Sequence, residues 1–305
     1  MQKRKLITIL ILLLSFFLIF FTESTNNNLS YIINLLITNI IPSLLPFMLI
    51  INFLMAFNCL DLLAYLLQKI SIKLFNISGY SLIAILSSII GGFPFSAIVV
   101  EQLISQKNIS NEEGQKIINF IFFPSFSFLY STLLFLNPSN KKIVLTTIVL
   151  IYVVSFLFLY IFKDGNYQIN LIKKEELNKP ISSFSISYNK IIKNCLQSLI
   201  YISMSRIIFS VFKGIIKNFI DGSLYHFIGG VIEFSSTAIE LVLTDNLSII
   251  NTLIFTFIIS FCGFSIFFQS YPYIKKAKLN FSKMLIWRFI IAITTTFFSY
   301  LIYLF

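Results

Sequence analysis

Apolar runs long enough for the roughly 20 residues that cross a bilayer recur along the whole chain. Only short polar or basic stretches separate them, and none is long enough to fold as a soluble domain. The pattern predicts an all-α, polytopic transmembrane helical bundle in a single membrane domain, 1–305. "LITILILLLSFFLIFF", after the basic "MQKRK", reads as an uncleaved first helix with its N-terminus in the cytoplasm, because no small-residue cleavage site follows. The stretch Tyr31 to Phe57 contains Pro42 and Pro46, each lacking a backbone donor, which predicts a kinked or broken helix. "CLDLLAYLLQKISIKLF" has the polar spacing of a helix lying at the cytoplasmic interface.

Further elements follow in order. "SNEEGQKIINF" begins a helix with a Ser or Asn cap and acidic residues in the first turn, expected to span to about Leu136 through Pro124. Spans are expected from about Ile143 to Phe162, Ile191 to Ile220, Leu247 to Tyr273 and Met284 to Phe305. The polar loop 163–190 divides a first half, 1–162, from a second, 191–305.

Two segments do not fit a simple span. Tyr80 to Ile104 is apolar on both sides of Gly91-Gly92-Phe93-Pro94 and has lysines on both flanks: Lys73 before, Lys107 and Lys116 after. A re-entrant hairpin turning at Gly91, Gly92 and Pro94 keeps both basic flanks on the cytoplasmic side. The segment His226 to Leu243 is also short, glycine-broken and acidic, with Gly229 and Gly230 as its expected turn.

The two segments align. "GGFPFSAIVVEQL" at 91 and "GGVIEFSSTAIEL" at 229 share Gly-Gly, Phe-Ser and Glu-x-Leu, bringing Ser96 opposite Ser235 and Glu101 opposite Glu240. Farther on, "PSFSFLY" from Pro124 matches "GFSIFFQ" from Gly263. Charge placement opens the first hairpin to the cytoplasm and the second to the outside, so an inverted repeat is expected. In transporters, short Gly- or Pro-broken segments at matching positions mark the midplane site.

Composition narrows the function classes. With 57% hydrophobic and 11% charged residues, the net charge of +11 reports topology, since most Lys and Arg sit at the ends of apolar runs. A nucleic-acid partner is not expected. Cys59, Cys195 and Cys262 are far apart and form no CxxC pair, so they read as small apolar fillers and no metal is expected. There is no HExxH, phosphate loop, GxSxG or Cys-His pair, so an enzyme is not expected and no cofactor is implied.

The order "IIPSLLPFMLI", "GGFPFSAIVVEQL", "GGVIEFSS", "SFCGFSIFFQ" and "KLNFSKMLIWRFIIA" resembles the YlbJ family of sporulation integral membrane proteins, within the wider nucleoside recognition or Gate domain group. Its most specific piece is the Gly-Phe-Ser run ending in Gln269, followed by a basic turn and Arg288. The chain departs from the family at Phe95-Ser96, where a small residue is usual, and at "FFPSFSF". The resemblance implies a role in endospore cortex formation, in the cell membrane or one surrounding the forespore.

The candidate path for a small solute is lined by Ser96, Glu101, Glu233, Ser235, Glu240 and Gln269, with H+ or Na+ as candidate coupling ions. An acid at membrane depth costs roughly 2.5 to 3.5 kcal/mol on insertion scales. Glu233 and Glu240, seven apart, therefore read either as an ion- or proton-binding pair, as partners of Arg206, or as interfacial acids simply solvated. Arg288 reads as a partner for carboxylates or lipid headgroups. Two functions remain open: a solute transporter working by alternating access, or a non-transporting scaffold for spore-envelope assembly. Candidate partners are membrane lipids, a second copy of the chain and a spore-envelope membrane protein.

Overall fold

The computed structural model describes residues 22–57, 59–126, 128–134, 136–164, 169–172, 174 and 184–304, and among them every regular element is helical. The expected first helix at 6–21, and with it the N-terminal orientation, lies outside the described residues, as does much of the 163–190 loop. The described α-helices are α1 (Thr22–Leu35), α2 (Ile41–Ala56), α3 (Cys59–Phe75), α4 (Gly79–Gly91), α5 (Phe95–Ser105), α6 (Asn111–Phe120), α7 (Lys141–Ile161), α8 (Phe184–Ile216), α9 (Gly222–Ile232), α10 (Phe234–Leu243), α11 (Ile249–Phe261), α12 (Gly263–Lys276) and α13 (Phe281–Leu304).

Four helical stretches are long and apolar enough to cross a membrane: Pro138–Ile161, Ile191–Ile216, Ile249–Lys276 and Phe281–Leu304. A fifth candidate, Leu44–Leu54 with Cys59–Phe75, is bent by 93°. The long helices present apolar stripes outward at helical spacing, for example Leu145, Val149, Val153 and Leu157 on α7 and Leu196, Ile200, Met204 and Ile208 on α8. Water penalises such surface and lipid does not, so the protein is embedded in a membrane.

Two expected elements differ. The break foreseen at Pro42 and Pro46 falls earlier, at a π-helical turn over Leu36–Ile40, and α2 continues through Pro46. The span foreseen from Ser110 to Leu136 is not continuous. Ser110 caps α6 by accepting the Glu113 N–H, as its sequence signals, but α6 stops at Phe120 and the backbone is irregular through Pro124 before a π-helical turn at Phe128–Leu134.

The two halves follow the same path: a broken pair of short helices (α4 and α5; α9 and α10), a broken longer segment (α6 and the Phe128–Leu134 turn; α11 and α12), then a span (α7; α13). Loop contacts exchange accordingly. The loop before α6 meets the loop before α13, through Asn111 Nδ2 donating to the Ala277 carbonyl at 2.8 Å. The counterpart loop before α7 meets the loop before α11, through Asn140 Nδ2 donating to the Val242 and Thr244 carbonyls at 2.9 and 2.6 Å.

These contacts lie at opposite ends of the bundle, since Asn140 starts α7 while Lys116 Nζ, at the other end, donates to the Lys163 carbonyl just beyond it. The rise of α7 separates the ends by about 30 Å. The first hairpin begins and ends at the Lys116 end: the Ser78 N–H donates to Glu113, and Glu101 on α5 pairs with Lys276. The second begins and ends at the Asn140 end, where Ser223 donates to Asn251 and α10 finishes against Asn140. The hairpins therefore enter from opposite ends, and their tips meet where Phe93 packs edge to face on Phe234, centroids 5.3 Å apart.

Each tip rests on the broken segment of one half. A Cβ on Gly92, whose φ is +65°, would lie 2.3 Å from the Ser125 backbone nitrogen, and the Phe93 N–H donates to the Phe123 carbonyl. Gly263, with φ of +77°, sits in the same way under the second tip, where a Cβ would crowd the Gly230 and Val231 carbonyls at 3.0 and 3.1 Å.

Candidate functional site

The most strongly charged interior region lies where α8 runs beside the second hairpin. Arg206 and Lys213 are seven apart on α8, and Glu233 and Glu240 are seven apart on the hairpin, so both pairs rise on facing sides. Glu233 is fully buried and lies between α9 and α10 as the N-cap of α10. One carboxylate oxygen accepts from the Ser235 N–H and Oγ, the other from the Ser236 N–H and Oγ, at 2.6 to 3.2 Å. This satisfies donors that a helix start leaves open and places a negative charge at the positive end of the dipole.

The cations complete the group. Arg206 Nη1 donates to Ser235 Oγ and lies 3.7 Å from Glu233 Oε1. Lys213 Nζ donates to Ser236 Oγ at 2.7 Å and to Glu240 Oε1 at 2.9 Å. Two positive and two negative charges thus form one hydrogen-bonded chain, the condition under which buried ions are tolerated.

The structure brings Glu233, Ser235 and Glu240 together with Arg206, one of the pairings that the sequence left open. Lys213 was missed as a member because it reads as the start of the basic far end of α8, although its seven-residue spacing from Arg206 repeats that of the two acids. Gly229 and Gly230, expected as the second turn, lie inside α9 instead, and the chain turns at Glu233. Gly230 acts in packing: a Cβ there would lie 2.5 Å from the Ile258 side chain. Gly91 ends α4, and Gly92 to Pro94 form the first turn as expected.

The remaining residues are separate from this group. Glu101 is buried at the opposite end and bonds Lys276 at 2.9 Å. Ser96 and Gln269 lie on α5 and α12, which pack side by side. Both are buried, and neither Ser96 Oγ nor either end of the Gln269 amide has a hydrogen-bond partner. Ser265, one turn before Gln269, is likewise buried and unpartnered. A buried amide without partners costs on the order of 1 to 3 kcal/mol per unmet group, so this face is suited to a guest that carries its own donors and acceptors.

Among the described residues no group of His, Cys, Asp and Glu is placed to hold a metal ion. Cys195 and Cys262 are buried free thiols, and Cys59 is exposed. No family model matches the chain, and no curated protein or solved structure is significantly similar to it.

Proposed function

We propose that this membrane protein moves a small solute by alternating access between the two hairpins, as a transporter of the YlbJ or Gate type acting in endospore cortex formation. The observation that carries the reading is the tip-to-tip meeting of hairpins anchored at opposite ends, Phe93 on Phe234, against two broken helical segments. Irregular backbone at membrane depth is tolerated where protein or a wet cavity surrounds it, and helices broken at the midplane are where transporters hold substrate. The unpartnered Ser265 and Gln269 supply polar groups for a guest. H+ or Na+ coupling is assigned to the acids of the charged group.

The scaffold reading has one specific observation in its favour: in the Arg206, Lys213, Glu233 and Glu240 group each acid is paired with a base of the chain itself, without a ligand. The discriminating substitution is Gln269→Leu, which removes an amide that bonds nothing in the protein. A deletion strain carrying wild type or Gln269→Leu is compared for small metabolites in developing spores. If the protein is a transporter, the strain with the variant keeps the metabolite difference of the deletion although the variant stays folded; unchanged complementation supports the scaffold and removes the transport reading.

A further inference from the structure

Arg288 heads the fully buried side chains by volume among the described residues. It projects from α13 onto the break between α11 and α12, where Nη2 donates to the Ser260 carbonyl and contacts Cys262 Sγ at 3.8 Å. Its Nε and Nη1, three of the five N–H donors, have no partner. The other buried cations are compensated: Arg206 by Glu233, Lys213 by Glu240, and Lys116 by the Phe75 and Lys163 carbonyls. Among the described residues no ion pair includes Arg288. Capping the exposed carbonyls at the end of α11 accounts for one nitrogen of the guanidinium and leaves the rest of its charge and donors unused.

A second feature belongs to the same helix break. Cys262 is also the N-cap of α12, and its side chain caps no N–H there. In the first turn of α12, Ser265 Oγ is buried without a partner, and Ser260 Oγ on the other side of the break is in the same condition. We infer that Arg288, with the N-terminal turn of α12 and the Ser260 hydroxyl, binds the carboxylate of a small organic monoanion. One uncompensated guanidinium matches one negative charge, and a planar carboxylate takes up several N–H donors at once, where a halide offers a single centre and a dianionic phosphate leaves charge over. This deepens the transport reading, on which it rests, by giving the solute its charge.

The sole tryptophan, Trp287, packs on Phe120, Phe158 and Phe162 on another face of α13, so binding at the site is read calorimetrically. Purified full-length protein in zwitterionic nanodiscs is titrated with acetate and propionate, with their amides and with chloride, while the heat of binding is recorded. A saturable response to the carboxylates, absent with the amides and weakened about tenfold or more in Arg288→Gln, is expected. If Arg288→Gln fails to fold, Arg288→Lys, which keeps the charge and loses the planar donors, shows the weakening instead. Equal response to chloride, response only when phosphatidylglycerol is present, or equal affinity in the variants overturns the inference. Flux is read separately in proteoliposomes: transport of a neutral solute with no carboxylate response removes the anion site and leaves transport standing, whereas carboxylate binding without flux keeps the site and removes transport.

Discussion

Phe93 and Phe234 touch across the middle of the bundle although each belongs to a hairpin rooted at the opposite end. The loops joined to those roots must therefore face opposite sides of the membrane. Single cysteines at Lys278 and Asp245, in a chain whose exposed Cys59 is replaced by Ser, are expected to react with an impermeant thiol reagent from opposite faces of sealed vesicles. Labelling of both from the same face contradicts the inverted arrangement.

Removing Glu240 is expected to cost more than removing its partner. The Lys213 side chain is 1% exposed and that of Glu240 is 32% exposed. Glu240→Gln strands a buried ammonium, with a loss of about 3 to 5 kcal/mol, whereas Lys213→Met leaves a carboxylate that water reaches. The double variant should recover much of the loss, and thermal midpoints for the four proteins of the cycle measure the coupling.

At the N-cap, too, the acid is expected to matter more than the base, for a different reason. Glu233 serves four serine donors as well as Arg206, so Glu233→Gln should destabilise more than Arg206→Met. Denaturation of the two variants side by side checks it, and a larger loss for Arg206→Met would show that the cap contributes little.

Glycines with the same backbone sign should differ sharply. Gly92→Ala places a methyl group against the Ser125 backbone and is expected to prevent assembly, while Gly222→Ala, with φ of +65° but nothing within 4 Å, should cost about 1 kcal/mol. Monodispersity after extraction and thermal midpoints distinguish them; similar behaviour would remove the close contact between tip and broken segment.

The helical bundle, four of the spans and the first hairpin were legible because apolar run length, basic flanks and the Gly-Gly-x-Pro turn are local signals. The repeat was legible as well, since helix breaks recur at matching places. The second turn was misplaced because Gly-Gly means turn or close packing equally well, and only Ile258, distant in sequence, decides between them. Lys213 was lost for a related reason. A lysine near a helix end reads as interfacial until the acid that draws it inward is seen in space.

Although the halves share a chain path, their outer ion pairs turn opposite partners to the surroundings. In the Glu101 pair the base is 70% exposed and the acid 5%, whereas in the Glu240 pair the acid is 32% exposed and the base 1%. Dissolved anions therefore reach the first pair and dissolved cations the second. The kind of salt, and not its concentration alone, decides which end of the molecule feels it.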